Sequence, residues 1–548
     1  MREKKIDAYI IPTTDFHGSE YVNDYFKCRE FVSGFTGSAG TLVVTADAAA
    51  LWTDGRYFLQ AESELAGSGI ALMREGEPGI PEITEWLRQR LTSSAAQTVG
   101  FDGCVVSAKF GEKLKDFFHV EAELDLADEI WAERPELMAS EIYPLAPGVT
   151  GESSESKLLR VREEMRKAGA EAHIITSLEE IAWLFNLRGR DVLHTPVFYA
   201  FALVELEKAR VYLLNEGKDT KSLFGDEIEI KPYTAIFDEL KTLKAKSIMY
   251  DENTISYRLF ESIPHGCRAV KREDPAMLMK AVKNPTEIAC TKQAHIRDGA
   301  AVTRFIKWLK ENVGKDEITE ISAEEYLAEE RRREGAYDLS FDTIAGYGPH
   351  GAIIHYEAAP ETNVQLKPEG FLLVDSGGQY EDGTTDITRT IALGPLTEEM
   401  KRCYTAVLKA HIALATTEFD AETTGAQLDA IARKPLKDEG LDYKHGTGHG
   451  VGHMLSVHEG PASISPRGVN CHILPGMIMS NEPGVYLEGK FGIRLENEIL
   501  CIELENGKLG FETITLCPFE REAILQDMLT EKERAWLNEY HARVCSKL

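Results

Sequence analysis

The stretch FLLVDSGGQYEDGTTDITRT, residues 371–390, most constrains the fold because it places two acids within two short strand-like runs. The apolar run from Phe371 to Val374 predicts a strand that ends on Asp375, and the β-branched run after Gly383 predicts a second strand with Asp386 inside it. Neighbouring strands lie about 4.8 Å apart, so both carboxylates could reach one cation or a pair of cations. Taken alone, Asp375 would be interpreted as an acid at a strand end and Asp386 as a solvated acid.

Three stretches downstream offer further metal-binding side chains. The segment KHGTGHGVGHMLSVHEGP, residues 444–461, sets four histidines among glycines, which let the backbone approach a ligand closely: His445, His449, His453 and His458. The segment SNEPGVY supplies Glu482, and FGIRLENEIL supplies Glu496 on a predicted strand. Strand alternation places Arg494, Glu496 and Glu498 on one face, so spacing alone leaves the two glutamates as equal candidates.

In this order, these motifs resemble those of the pita-bread metallopeptidases, and specifically of the aminopeptidase P family. The resemblance implies five metal ligands, which are Asp375, Asp386, His449, Glu482 and Glu496. It also implies two divalent metal ions. Four carboxylates and one imidazole favour manganese, with zinc, cobalt and iron(II) as alternatives, because oxygen-rich sites suit harder ions.

The resemblance also implies catalytic roles for His355, His445, His458 and Glu482, and substrate contacts from His355, His445, His458 and Arg494. In this interpretation His458 stabilises the developing oxyanion, and Glu482 moves a proton towards the leaving proline nitrogen. Arg494 is expected to pair with a ligand carboxylate as well. We assign no role to His453 and expect it to be structural. The implied reaction is hydrolysis of the first peptide bond in peptides whose second residue is proline.

Two other functions share parts of this pattern. Prolidases are expected to have the same metal ligands but act on dipeptides that end in proline. Non-catalytic pita-bread binding modules lose metal ligands, whereas all five candidate ligands are present here. A creatine amidinohydrolase is less expected for the same reason.

Size, charge and cysteine content limit the other function classes. A chain of 548 residues suggests about three domains. The net charge of −29 argues against nucleic acid or an anionic membrane as a partner. Nine scattered cysteines without a CxxC pair favour a reducing cytoplasm. The apolar run in MREKKIDAYIIP is too short for a signal peptide, and no stretch approaches the about 18 apolar residues of a membrane span. A homodimer is implied by the resemblance alone.

The chain divides into three predicted domains, over residues 1–151, 152–282 and 283–548. Similar element order in the first two, with IDAYIIP matching AEAHIIT, predicts a duplicated α/β module. The fold class is therefore mixed α/β and α+β, with two related creatinase-like domains before a pita-bread catalytic domain. Capping boxes are predicted for three catalytic-domain helices, at Ser322 with Glu325, Thr424 with Gln427, and Thr530 with Glu533.

Overall fold

The protein is described by a computed structural model that covers residues 1–92, 97–215 and 220–548. The chain forms two compact units. The first unit contains Met1–Pro147 and Glu152–Met277, and the second contains Gly148–Gly151 and Leu278–Leu548. Within the described ranges, no helix combines the length and the apolar character needed to cross a membrane.

The first sheet of the first unit has six strands in the order β4-β3-β2-β1-β5-β6. Its strands are β1 (Ala8–Pro12), β2 (Thr41–Thr45), β3 (Ala49–Thr53), β4 (Ile70–Arg74), β5 (Thr98–Phe101) and β6 (His119–Glu121). The helices of this segment are α1 (Cys28–Ser33), α2 (Phe58–Glu64), α3 (Ile83–Arg90) and α4 (Ala108–Lys115). Strand β1 pairs antiparallel with β2 and parallel with β5.

The second sheet of this unit repeats the topology. Its segment contains β7 (Tyr143–Pro144), β8 (Ala172–Ile175), β9 (Leu187–Arg188), β10 (Ala200–Glu205), β11 (Ala209–Leu213), β12 (Ile228–Pro232), β13 (Ser247–Tyr250) and β14 (Arg268–Lys271). The helices of this segment include α6 (Ser154–Ala168), α7 (Leu178–Phe185), α8 (Ala235–Lys241) and α9 (Tyr257–Glu261), while α5 (Pro147–Thr150) and α10 (Pro275–Ala281) each contain residues of both units. The order β12-β11-β10-β8-β13-β14, with β8 antiparallel to β10 and parallel to β13, confirms the predicted duplication.

His17 joins the two halves of the first unit. Its Nδ1 donates to the carbonyl oxygen of Thr176 at 2.7 Å, and its Nε2 accepts from the hydroxyl of Tyr233 at 2.5 Å. Burial lowers the pKa of His17 to about 3. The imidazole is therefore neutral at pH 7, which agrees with one ring nitrogen donating and the other accepting.

The second unit is built from short sheets and five long helices. Its strands are β15 (Asp338–Leu339), β16 (Ile344–Tyr347), β17 (Phe371–Ser376), β18 (Gly378–Tyr380), β19 (Gly383–Thr384), β20 (Ile387–Ala392), β21 (Gly448–Gly450), β22 (Glu459–Ile464), β23 (Ile478–Asn481), β24 (Gly484–Leu487), β25 (Phe491–Arg494), β26 (Asn497–Glu503) and β27 (Leu509–Thr513). The helices are α11 (Pro285–Asn312), α12 (Glu320–Arg333), α13 (Glu398–Ala415), α14 (Gly425–Asp438) and α15 (Glu531–Lys547). Short 3-10 turns occupy Asp24–Phe26 and Thr220–Leu223 in the first unit, and Gly348–Ala352, Arg521–Ala523 and Gln526–Met528 in the second.

Two sheets of the second unit carry the candidate site. They have the strand orders β16-β17-β20 and β22-β21-β23-β26-β27, while β24 pairs with β25. One core cluster packs α13, α14 and α15 with β25, and it includes Tyr404, Val407, Ile493, Leu495 and Tyr540. The strands that carry the candidate ligands are therefore backed by buried apolar side chains.

Two of the three predicted capping boxes are confirmed, at Thr424 for α14 and at Thr530 for α15. The prediction for α12 was wrong, because Thr319 is the cap and Ser322 occupies the third helical position. The Ser322 hydroxyl contacts the backbone N–H of Thr319 at 2.8 Å, so the helix begins earlier than predicted.

The predicted strand pair of the metal motif is also modified. Strands β17 and β20 are antiparallel neighbours, with Asp375 opposite Thr388, but Asp386 lies just before β20 rather than inside it. Between them, β18 and β19 form a separate hairpin in the sheet with β15. A side chain at Gly377 would place its Cβ 1.9 Å from the Thr385 carbonyl oxygen, so only glycine permits this excursion.

Candidate metal centre

The five candidate ligands lie at or near strand ends that meet in the second unit. Asp375 is in β17 and Asp386 precedes β20, while His449 is the central residue of β21. Glu482 lies between β23 and β24, and Glu496 lies between β25 and β26. Residues separated by more than a hundred positions are thus brought to one place by the sheets.

Glycines on both sides of His449 allow its strand to enter this site. A Cβ at Gly448 would lie 2.0 Å from the Ser480 carbonyl oxygen, and one at Gly450 would lie 2.3 Å from the Glu459 carbonyl oxygen. The GHG sequence is therefore required for the close approach of β21 to both of its neighbours.

Side-chain atoms of three candidate ligands lie within reach of one cation. One atom from each of Asp386, His449 and Glu496 lies within 4.8 Å of the other two. The Nε2 atom of His449 is 3.4 Å from Asp386 Oδ2 and 3.5 Å from Glu482 Oε1. The structure thus brings Glu482 to the same group.

Hydrogen bonds orient each of these side chains. The Nδ1 of His449 donates to the Gly450 carbonyl oxygen at 2.8 Å, which leaves Nε2 free to face the carboxylates. The Thr388 hydroxyl donates to Glu496 Oε2 at 2.7 Å, and the Ser480 hydroxyl donates to Glu482 Oε1 at 3.1 Å. These contacts hold the candidate ligands in place.

The electrostatics of the site call for a cation. Burial, together with the neighbouring carboxylates, raises the pKa of Asp386 to about 6, that of Glu482 to about 7, and that of Glu496 well above its usual range. Burial lowers the pKa of His449, but Asp386 and Glu482 outweigh this effect and raise it to about 9. Four acids crowded in a buried site cannot all ionise cheaply unless positive charge is added.

Two buried carboxylate oxygens support the same conclusion. Among the described residues, Oδ1 of Asp375 and Oδ1 of Asp386 have no hydrogen-bond partner. Buried acceptors are normally satisfied, so these atoms are available to coordinate a metal ion. An oxygen-rich donor set with one imidazole fits a divalent cation.

Arg494 connects the metal-ligand candidates to a candidate substrate residue. It donates to Asp375 Oδ2 from Nη2 at 2.6 Å and from Nε at 3.1 Å. Its Nη1 donates to the Tyr486 hydroxyl at 2.8 Å, and that hydroxyl lies 2.8 Å from His445 Nε2. Because burial raises the pKa of Tyr486, its hydroxyl keeps the proton that it shares with His445.

The other two candidate histidines, His458 and His355, lie on different segments of the second unit. The ring of His458 lies 4.3 Å from the ring of His449, measured between centroids, at a near-perpendicular angle of 74°. His355 is half-buried in a turn that follows the 3-10 segment at residues 348–352. That segment packs against β25, since a Cβ at Gly492 would lie 1.6 Å from the Gly351 carbonyl oxygen.

Three residues near the site have structural contacts. His453 Nδ1 lies 3.0 Å from the Thr291 hydroxyl, which agrees with the structural role expected for this histidine. Glu498 is fully buried, and its Oε1 accepts the backbone N–H of Asp386 at 2.8 Å. The other Glu498 oxygen lies 3.0 Å from His295 Nε2.

Sequence reasoning missed Tyr486 and His295. Tyr486 follows Glu482 by four residues and lies in β24, where side-chain alternation along the strand could have indicated that Tyr486 faces the site. His295 lies in the middle of a long helix, on its buried face, and its position there did not indicate the contact with Glu498.

Comparisons with known proteins agree with this architecture. Residues 289–503 match Metallopeptidase family M24, and residues 507–548 match its C-terminal region. Residues 1–134 and 133–287 each match a Creatinase/Prolidase N-terminal domain.

Full-length relatives are similar over the whole chain. Aminopeptidase P2 of Arabidopsis thaliana is 41% identical, over 99% of this chain and 83% of the relative. Xaa-Pro aminopeptidase 1 of Dictyostelium discoideum is 40% identical, over 100% of this chain and 91% of the relative. The crystal structure of X-prolyl aminopeptidase from Caenorhabditis elegans, described as a cytosolic enzyme with a di-nuclear active site, superposes with a TM-score of 0.95. It is 32% identical and covers 99% of this chain and 92% of that one. The chain therefore belongs to the Xaa-Pro aminopeptidase P family of M24 metallopeptidases, with two creatinase/prolidase N-terminal domains before a pita-bread domain.

Proposed function

We propose that this protein is a metal-dependent Xaa-Pro aminopeptidase, which removes the N-terminal residue from peptides whose second residue is proline. The observation that carries the proposal is the meeting of Asp386, His449 and Glu496 within 4.8 Å in a chain that resembles Xaa-Pro aminopeptidases over its full length. Relatives with this activity in their names cover the chain from end to end, so the assignment does not depend on one domain.

We assign the binding of two divalent metal ions to Asp375, Asp386, His449, Glu482 and Glu496. When bound, such ions activate a water molecule, polarise the scissile carbonyl and receive the free amino group of the peptide. Manganese is our first choice because the donors are mostly carboxylates, with zinc, cobalt and iron(II) as alternatives. The unpartnered Oδ1 atoms of Asp375 and Asp386 support this set.

The chain's own side chains would carry the remaining steps. His458, beside the ring of His449, is placed to donate to the oxyanion that develops on the substrate carbonyl. Glu482 would carry a proton to the leaving proline nitrogen. Arg494 holds Asp375 and Tyr486, and Tyr486 in turn contacts His445.

We assign recognition of the proline side of the substrate to His355, His445, His458 and Arg494. Proline has no backbone N–H and a fixed φ, so a peptidase that needs that hydrogen bond cannot process it. Histidine side chains can instead contact the peptide carbonyl groups on either side of the substrate proline, and these contacts do not need the N–H that proline lacks.

We further propose a cytoplasmic homodimer with catalytic domains at residues 283–548, preceded by domains at residues 1–151 and 152–282. The Caenorhabditis elegans relative is described as cytosolic, which supports the location. The net charge of −29 favours neither nucleic acid nor an anionic membrane as a partner. The partners that we expect are peptides with proline in the second position.

The first experiment is incubation of the manganese-loaded protein with Arg-Pro-Pro and, separately, with Ala-Pro, followed by identification of the products by mass. We expect free arginine from the tripeptide. The control is Asp386→Ala, which removes a ligand candidate and should abolish the release.

Each other outcome has a definite meaning. Cleavage of Ala-Pro alone would identify a prolidase and overturn the aminopeptidase assignment. Absence of cleavage of both peptides, with two metal ions bound per chain, would identify a binding module instead.

A further inference from the structure

Arg389 is a buried cation behind the candidate metal centre. It lies on β20, three residues after Asp386, and is 2% exposed. Its N–H groups donate to six acceptors: Thr388 O at 2.9 Å, Glu496 O at 2.6 Å, Asn497 Oδ1 at 2.8 Å, Cys517 O at 2.7 Å, Pro518 O at 3.1 Å and Tyr540 Oη at 3.1 Å. Among the residues that the structure describes, every one of these acceptors is neutral.

A buried guanidinium without a carboxylate partner is costly unless its N–H groups are fully satisfied. Here the six acceptors satisfy all five N–H donors of the Arg389 guanidinium. In addition, the guanidinium carbon Cζ lies 4.4 Å from the centre of the Phe519 ring. Because the shortest of these contacts is to the Glu496 carbonyl oxygen, the cation fixes the backbone of a candidate ligand.

His411 on α13 fixes the same backbone from another side. Its Nδ1 donates to the Leu495 carbonyl oxygen at 3.2 Å, and its Nε2 accepts from Asn497 Nδ2 at 3.1 Å. The His411 carbonyl oxygen accepts from Asn481 Nδ2 at 2.9 Å, and Asn481 directly precedes Glu482. Burial, followed by the charge of Arg389, lowers the pKa of His411 to about 3, which agrees with its accepting nitrogen.

Tyr540 brings the last helix of the chain into this network. It lies on α15, and its hydroxyl donates to the Cys517 carbonyl oxygen at 2.8 Å while it accepts from Arg389. We call Arg389, His411, Asn497 and Tyr540 the buried hub. The hub connects both neighbours of Glu496 to the C-terminal region, which the metal-ligand motifs do not include.

We propose that Arg389 is a positioning residue for Glu496, and that helix α15 contributes to metal retention through the Tyr540 hydroxyl. This inference rests on the proposed function, since it takes Glu496 as a metal ligand. The carbonyl of Glu496 is held by Arg389, its backbone N–H donates to the Thr388 carbonyl oxygen at 3.1 Å, and its side chain accepts from the Thr388 hydroxyl. Arg389 thus completes a three-point attachment.

The expected size of the effect follows from this role. Loss of a group that orients a metal ligand typically weakens metal affinity by about 10- to 100-fold, which we expect for Arg389→Gln. Arg389→Lys keeps the charge but loses the fork, so its affinity should fall between those of Arg389→Gln and the wild type. Tyr540→Phe removes the hydroxyl that accepts from Arg389 and donates to the Cys517 carbonyl oxygen, and it should weaken Mn²⁺ binding by about 2- to 10-fold.

The test is titration of the metal-free full-length chains with Mn²⁺, with the dissociation constants measured by calorimetry and the metal content measured after dialysis. The kinetics should show a lower kcat at limiting Mn²⁺ with little change in KM, and excess Mn²⁺ should restore activity. A merely structural defect would lower the melting temperature of the metal-free protein without this recovery.

Tyr404→Phe is the matched control. Tyr404 is fully buried on α13, and its hydroxyl accepts the backbone N–H of Glu520 at 2.8 Å, so it too contacts the C-terminal region, but it lies outside the hub. Its Mn²⁺ affinity should equal that of the wild type.

Failure of the inference is distinguishable from failure of the proposed function. If the wild type binds Mn²⁺ and cleaves Arg-Pro-Pro while Arg389→Gln and Tyr540→Phe bind Mn²⁺ with wild-type affinity, the positioning role is refuted and the function stands. If the wild type binds no Mn²⁺, both fail. Should the Arg389 variants not fold, Tyr540→Phe decides alone against Tyr404→Phe.

Discussion

Replacing Arg494 tests whether Asp375 is a metal ligand. Both side chains are buried, and the guanidinium donates to Asp375 Oδ2 at 2.6 and 3.1 Å. Removing one partner of such a pair leaves an uncompensated buried charge and typically lowers the free energy of unfolding by about 3–5 kcal/mol. We expect a loss of this size for Arg494→Met in the metal-free protein. The urea concentration at the midpoint of that unfolding transition should fall, while the m-value should stay unchanged.

Metal loading should reduce this loss to less than half, because bound cations would also neutralise Asp375. The assay is urea unfolding at pH 7.5, with and without saturating Mn²⁺. Arg494→Lys keeps the charge and should lose less stability than Arg494→Met in the metal-free protein.

The matched control is Arg331→Met. Arg331 donates to Asp298 at 2.8 and 3.3 Å in an equally buried pair, and Asp298 is not a ligand candidate. The loss of stability caused by Arg331→Met should be the same with and without Mn²⁺. If Arg494→Met is as stable as the wild type without metal, or if its deficit persists in full after loading, the reasoning about Asp375 is wrong.

Three further predictions concern metal removal, Tyr486 and pH. Chelation of the metal should lower the melting temperature, because Asp386, Glu482 and Glu496 then repel one another. A metal ion present at 100 times its Kd stabilises the folded protein by about 2.7 kcal/mol, and chelation removes this contribution. An unchanged melting temperature would contradict the assignment of a metal centre. Tyr486→Phe should lower kcat/KM by about 10-fold, as expected for two lost hydrogen bonds, and leave the metal content unchanged, which mass spectrometry of the metals can check. The pKa of His17 in the folded protein lies below its value of 6.5 in the unfolded chain, so the unfolded chain binds more protons. The contribution of His17 to stability is therefore present above pH 6.5 and is lost as the pH falls towards 3. Between pH 7 and pH 5 this loss is about 2 kcal/mol, visible by calorimetry as a steeper acid destabilisation than that of His17→Gln; equal slopes would refute it.

Local motifs were sufficient for much of the fold. The repeated pattern that begins with IDAYIIP and AEAHIIT predicted two related α/β sheets, and their strand orders confirm it. Capping boxes at Thr424 and Thr530 marked the starts of two helices correctly. At α12 the predicted cap at Ser322 was wrong, because Ser322 is the third helical residue and its hydroxyl accepts the backbone N–H of the true cap, Thr319.

The candidate ligands were also recognisable locally, because each occurs in a short motif with its own turn or glycine pattern. Spacing did not distinguish Glu496 from Glu498. In the structure, Glu496 lies with Asp386 and His449, whereas Glu498 accepts the backbone N–H of Asp386. Strand alternation predicted both glutamates on one face, so the distinction depended on the contacts that each side chain makes in the folded structure.

The sequence by itself therefore determined the order of the domains and the residue types of the candidate metal centre, because these depend on neighbours within a few positions. Tertiary structure alone decided how those residues are held. Arg389 contacts Glu496 and Tyr540 across 107 and 151 positions, and Arg494 contacts Asp375 across 119. Such contacts exist only after the sheets and helices have packed, since no local pattern specifies which distant carbonyl or hydroxyl a buried guanidinium will meet.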